Sequence, residues 1–240
     1  KREVTRIVTP GTNLDTYALD ESKNNYIMSI VYVDSRYGIS AADVTTGDYF
    51  VTEVDSERKL LDEISKYMPS EIICNEAFLV SGLDLEDLKH RLRIAIYPLD
   101  AWYFDDSTAR QTLTDHFHVA GLDGLALTDY DCGVIAAGSL LKYLQELQKT
   151  SLEHMTKLEP YSTSRYMIID SSTRRNLELV ETLREKQKRG SLLWVLDKTK
   201  TAMGARMLRR YLEQPLIEKE EIMQRLDAVE ELKDNAITRE

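Results

Sequence analysis

The 240-residue chain has only two cysteines, Cys74 and Cys132, far apart, and four scattered histidines. Neither type occurs at metal-ligand spacing, so no structural zinc site of the Cys/His kind is expected. The two could form one disulfide, but they read better as two buried, reduced thiols. Long apolar runs are also missing. No stretch approaches the roughly 18 residues of a membrane span, and Lys1-Arg2-Glu3-Val4 opens the chain without a secretory apolar segment. No membrane association is expected, and the protein reads as cytoplasmic. There is no initiating methionine, and the last residues continue a helical pattern, which reads as an interior fragment of a longer protein. No internal repeat or low-complexity tract stands out.

Positive charge is in short supply. The net charge of −10 argues against a free-standing nucleic-acid binder, because neutralising phosphates needs a basic surface. The deficit is uneven: residues 171–213 hold eleven Lys/Arg against five Asp/Glu, net +6, leaving about −16 elsewhere. A solvated helix face is the plain reading of that stretch.

What is present is a change of periodicity along the chain. Residues 25–34 (NYIMSIVYVD) are apolar on both alternating sets, as in a central strand of a covered sheet. Turns at 34–38 and 46–48 separate two further strands, 39–44 and 49–54, predicting an antiparallel meander. Leu60, Leu61, Ile64 and Tyr67 then fit one helix face, with Asp55 or Ser56 as N-cap and Pro69 beyond the end. Strands at 71–74 and 94–97 alternate with helices at 83–92 and 107–117. This order predicts a mixed α/β sheet covered by crossover helices, in the ribonuclease-H-like succession. A long helix capped by Thr128 follows. Residues 151–166, polar with Pro160, read as a linker between a domain at 1–150 and a mostly α-helical region at 167–240. In that region a strand is expected at 166–169. Helices are expected from Asp170 or Ser171 through Val180, from Leu192 to Leu212, and from Ile217 through Leu232.

Few residues suggest chemistry. Gly133 and Gly138 have the spacing of a phosphate-binding loop, but Ser139 and Leu140 stand where a Lys and a Ser/Thr are required. Close helix packing is the better expectation, and no cofactor is expected. A ribonuclease-H-like sheet raises an enzymatic alternative, a metal-dependent nuclease using Asp34, Asp43 and Glu76. The middle of the first strand carries no acid, which argues against it. His116 and His118 read as helix-end residues, and no catalytic triad is visible.

Several segments together resemble the bacterial DNA mismatch-repair family MutS. They are residues 6–12 (RIVTPGT), 106–111 (DSTARQ), 136–143 (AAGSLLKY), 167–179 (MIIDSSTRRNLEL), 191–216 (SLLWVLDKTKTAMGARMLRRYLEQPL) and 225–232 (RLDAVEEL). The match runs in family order across nearly the whole chain. It implies a connector domain followed by the first part of the core, or lever, domain. By resemblance, the full-length protein is a homodimeric, DNA-dependent ATPase that uses ATP and magnesium, binds mismatched double-stranded DNA and recruits MutL. The family's Phe-x-Glu mismatch wedge, its DNA clamp and its phosphate loop are not in this sequence, so no catalytic role is expected for it. The resemblance further implies that Arg110, Gln111 and Thr112 dock MutL; Thr112 departs from a second glutamine found in some members. Arg174, Arg175, Lys186, Lys188 and Arg189 are candidates for contacts with DNA or with neighbouring domains.

Overall fold

A computed structural model describes residues 4–12, 23–90 and 92–235, divided into two compact units at Ser162/Thr163. The first unit begins with β1 (Ile27–Val33), β2 (Arg36–Asp43) and β3 (Asp48–Val54), joined antiparallel by tight turns. After them come α1 (Glu57–Tyr67), β4 (Glu71–Cys74), α2 (Glu76–Leu79), α3 (Leu85–His90) and β5 (Ala95–Pro98). Two longer helices, α4 (Asp106–Phe117) and α5 (Cys132–Gln148), and a two-residue strand β6 (Glu159–Pro160) complete it. The strand order is β5-β4-β1-β2-β3-β6, with β4, β5 and β6 parallel to their neighbours. The sheet is therefore mixed, as the sequence predicts. Ile27, Met28, Ile30 and Val31 of β1 are fully buried, which is why its two alternating sets are both apolar.

α1 buries Leu60, Ile64 and Tyr67 and ends where Met68 turns left-handed (φ 44°), just before Pro69. The long helix α5 is buried around most of its circumference and packs on β1, β2, β3 and α4. Its start is not set by Thr128. Asp131 precedes the first turn, and the open backbone N–H groups are met from the sheet: Glu53 Oε1 accepts from Asp131 N (2.6 Å) and Gly133 N (2.8 Å). A carboxylate here also lies favourably on the helix dipole. Glu53 Oε2 pairs with Arg36 Nη2 at 2.5 Å.

Residues 151–162 differ from the expected linker. Leu152, Met155, Leu158 and Tyr161 are buried, β6 pairs with β3, and Thr52 Oγ1 donates to Tyr161 O at 2.7 Å. The residues between them are polar, as in a linker, while the buried ones are spaced by three. Pro160 is tolerated because β6 is an edge strand. Tyr161 also covers a buried ion pair: Lys66 Nζ lies 3.1 Å from Glu63 Oε2 and 3.9 Å from the Tyr161 ring centroid. At the other end of the unit, Thr9 Oγ1 donates to Glu71 Oε1 (2.8 Å) and Ile7 N to Leu147 O (2.8 Å), laying residues 7–12 against β4 and α5. Both cysteines are free and buried, Cys74 in the sheet and Cys132 at the start of α5.

The second unit holds α6 (Ser171–Asn176), α7 (Leu192–Leu196), α8 (Ala202–Glu213) and α9 (Lys219–Asp234). The strand expected at 166–169 is a single antiparallel bridge, Tyr166 with Leu216. Helix α6 stops early, and Glu178 is left-handed at φ 48°. The helix expected over 192–212 is broken. Asp197 Oδ1 accepts from Thr199 N (3.0 Å) and Thr199 Oγ1 (2.6 Å), a local turn that competes with helix. Thr201 Oγ1 then accepts from Gly204 N (3.0 Å) to cap α8.

Candidate docking face and basic segment

The carboxylates proposed for a nuclease are not brought together. Asp34 lies in the β1–β2 turn and Asp43 at the far end of β2, so strand rise alone separates them by about 24 Å. Glu76 is exposed at the start of α2, beyond the end of β4 that lies alongside Ile30 of β1. Asp43 is fully buried and has a structural task. Its Oδ2 accepts from Asn24 Nδ2 (2.9 Å) and Asn25 N (3.0 Å), and its Oδ1 from Thr45 N (2.8 Å) and Thr45 Oγ1 (2.6 Å). Among the described residues no group of three or more His, Cys, Asp or Glu side chains could hold a metal ion.

The paired glycines of α5 are explained by packing. A Cβ on Gly138 would stand 2.4 Å from Ala109 Cα and 2.6 Å from Ala109 O, so α4 and α5 touch backbone to backbone there. A Cβ on Gly133 would press on Glu53, Tyr130 and Val51 at 3.1–3.2 Å. Gly38 matters in the same way: its Cβ would meet Cys132 O at 2.1 Å, which lets β2 run directly under the first turn of α5. His116 Nε2 lies 2.8 Å from Met155 O, and His118 is the left-handed residue ending α4. Both are helix-end residues, as expected.

α4 carries the face expected to dock a partner. Asp105 caps it, accepting from Thr108 N at 2.8 Å; the Ser107 and Thr108 hydroxyls bond the same carboxylate and hold its pKa below the usual range. Ala109 and Leu113 are buried against α5. Gln111 is exposed and Arg110 half-buried, and each is braced along its own helix. Arg110 Nε reaches both oxygens of Asp106 (2.9 and 2.8 Å), and Gln111 Nε2 donates to Asp115 Oδ1 (2.6 Å). Thr112 is less available, since its hydroxyl donates back to Thr108 O at 2.8 Å. Arg110 and Gln111 thus form an ordered polar surface with Thr112 at its margin.

In the second unit the five basic candidates divide. Arg174 is half-buried and donates from Nη2 to Glu213 O at 3.1 Å, tying α6 to the end of α8. Lys188 is paired with Asp197, whose carboxyl is held down at about 2 by the Lys188 ammonium and by Thr199. Arg175, Lys186 and Arg189 are exposed and form no ion pair among the described residues.

Sequence reasoning missed the structural work of two strand carboxylates, Glu53 and Glu71. Each sits in a strand, where nothing local marks a partner distant in the chain. It also missed the aromatic group at 97–103, although the adjacent Ala101-Trp102-Tyr103-Phe104 run was a usable signal.

Comparison with known families agrees with this architecture. The family model described as MutS domain II matches residues 25–156, and that described as MutS domain III matches residues 172–240. Over all 240 residues, the chain is 65% identical to the DNA mismatch repair protein MutS of Lachnoclostridium phytofermentans, covering 26% of that protein. It is 46% identical to the MutS of Ruminiclostridium cellulolyticum and 44% identical to that of Acetivibrio thermocellus, in each case over the whole chain and 27% and 28% of the relative. The chain therefore spans about a quarter of the length of the curated relatives it matches. With more than half of its residues matched by the domain II model and most of the remainder by the domain III model, the chain belongs to the MutS family.

Proposed function

We propose that this chain is the middle of a mismatch-recognition ATPase. It joins a mismatch-binding domain to the clamp and ATPase domains, relays conformational change between them, and docks MutL on the exposed face of α4. The order β3-β2-β1-β4-β5, with an antiparallel meander leading into parallel strands, supports a ribonuclease-H-like connector. Rigid packed elements are the physical means of such a relay. In the full-length protein the second subunit, ATP with magnesium and mismatched DNA act through other domains, in a bacterial cytoplasmic, nucleoid-associated setting. This segment contributes no catalytic residue.

One observation carries the docking role. The buried side of α4 is locked to α5 at Ala109 and Gly138, while Arg110 and Gln111 are held outward by Asp106 and Asp115. Such a face presents ordered polar groups at little entropic cost, which suits a regulated, transient contact. The test uses full-length protein carrying Arg110→Glu and Gln111→Ala. MutL capture should fall while mismatch binding holds; unchanged capture rejects the face as the dock.

A second contact is favoured by the exposed, unpaired Arg175, Lys186 and Arg189, which suit phosphate oxygens or acids of a neighbouring domain. Replacing all three with alanine in the full-length protein should reduce the steepness with which salt weakens DNA binding, by about one unit for each phosphate no longer neutralised. An unchanged salt slope assigns them to protein contacts.

A further inference from the structure

Beside α4 lies an aromatic ledge. Residues 101–104 form a short 3-10 turn packed on α4 and α5. In it Trp102 is 48% exposed, and its ring stacks on Tyr103 at 3.8 Å between centroids with 28° between planes. Tyr103 is fixed in turn: its hydroxyl donates to Glu146, its ring meets that of Tyr143 at 6.4 Å, and its body packs on the core. Tyr97, at the end of edge strand β5, is 40% exposed. An indole held rigid by stacking yet half open to solvent loses little freedom on binding, the usual property of an interface anchor. The surroundings are acidic. Residues 100–115 carry Asp100, Asp105, Asp106 and Asp115 against Arg110 alone, net −3.

We propose that Trp102, backed by Tyr103, is the anchor of the docking face and receives a lysine- or arginine-bearing segment of the partner. This rests on the reading of α4 as a dock and adds the chemistry of what binds there. A cation over the indole face gains from the ring quadrupole, and the aspartates supply complementary charge that steers the approach.

The test compares full-length proteins with purified MutL as the probe. Trp102→Ala should weaken MutL binding about tenfold or more, Trp102→Phe should retain most of it, and Asp100→Lys should weaken binding and flatten its salt dependence. Mismatch-DNA binding and Tm are measured on each variant, and Trp102→Leu serves if the alanine variant is unstable. Loss in the Trp102 variants and in an Arg110→Ala/Gln111→Ala pair, which removes the α4 contacts without adding acidic charge, supports both readings. Loss only in the α4 pair overturns the anchor and leaves the dock. Loss only at Trp102 keeps the anchor and rejects α4 as the contact. No loss in any variant overturns both. Binding that is insensitive to Asp100→Lys and to salt overturns the basic character assigned to the partner.

Discussion

Gly138→Ala adds one methyl group where the structure has no room for it. The new Cβ would lie 2.4 Å from Ala109 Cα, 2.5 Å from its Cβ and 2.6 Å from its carbonyl oxygen. Ordinary carbon contacts lie near 3.5–4.0 Å, so α4 and α5 must separate by about 1 Å or more. Overpacking of this kind costs about 1–3 kcal/mol. The upper end applies because the opposing atoms are backbone and cannot rotate aside. Alanine recovers about 1 kcal/mol over glycine within a helix, so the net loss should be about 2 kcal/mol. With a urea slope of about 2 kcal/mol per molar, the midpoint should fall by about 1 M. The chain has two tryptophans, one in each unit, so a Trp194→Phe background leaves Trp102 reporting the first unit alone. Adding Ala109→Gly removes only the 2.5 Å contact and should restore less than half of the loss. An unchanged or higher midpoint for Gly138→Ala would refute the packing account of the paired glycines. The same variant should weaken MutL capture, since Arg110 and Gln111 ride on the displaced helix.

Glu53→Ala should cost about 2 kcal/mol in urea unfolding, because it strands the Asp131 and Gly133 N–H groups at the start of α5; Glu53→Gln, which keeps an acceptor, should recover part of it. Glu71 has its carboxyl pushed up by burial, which the Thr9 hydroxyl and Gly11 N–H only partly offset. A folded-state value above the unfolded one means that this group's contribution is fully present at acid pH and is lost as pH rises through the raised value. Glu71→Gln should remove that loss, so its stability should exceed wild type at neutral pH and converge with it toward about pH 4; parallel urea midpoints across that range would contradict this. For Asp197, held at about 2, the sign is opposite: its contribution is present above the ordinary aspartate range and lost as pH falls through about 2. Lys188→Met should return the Asp197 titration toward the ordinary range by carboxyl NMR, and a carboxyl still titrating near 2 would show that Thr199 alone suffices.

The sequence was most informative where a local pattern decides the structure. The meander, α1, β4, β5 and α4 follow from apolar periodicity and turn residues, and the last helix from its amphipathic spacing. It failed where a distant partner decides. The start of α5 is fixed by Glu53, some 80 residues earlier in the chain, so the local Thr128 signal misleads. Residues 152–161 join the first unit through Leu152, Met155, Leu158 and Tyr161, although their intervening residues are polar. The break between α7 and α8 was legible in principle, because Asp197-Lys198-Thr199 and Thr201 are local turn and capping residues; the helical spacing around them concealed it. Of the candidate sites, the exposure of Gln111 followed from the buried stripe of Ala109 and Leu113, while Arg110 is half-buried. That Arg174 and Lys188 are engaged within their own unit did not, since their partners Glu213 and Asp197 are a matter of tertiary placement.

The two thiols make the first unit self-reporting. Burial pushes each up to about 12, with Glu53 adding to the effect at Cys132 and Lys89 easing it at Cys74. At neutral pH the thiolate fraction is then roughly three orders of magnitude below that of a free cysteine. A thiol reagent therefore reads the rate at which the protein opens rather than the chemistry of the folded state. Cys74 sits in β4 between β1 and β5, and Cys132 in the first turn of α5 above Gly38. Their two labelling rates form separate clocks, one timing the parting of the sheet and the other the lifting of the long helix from it.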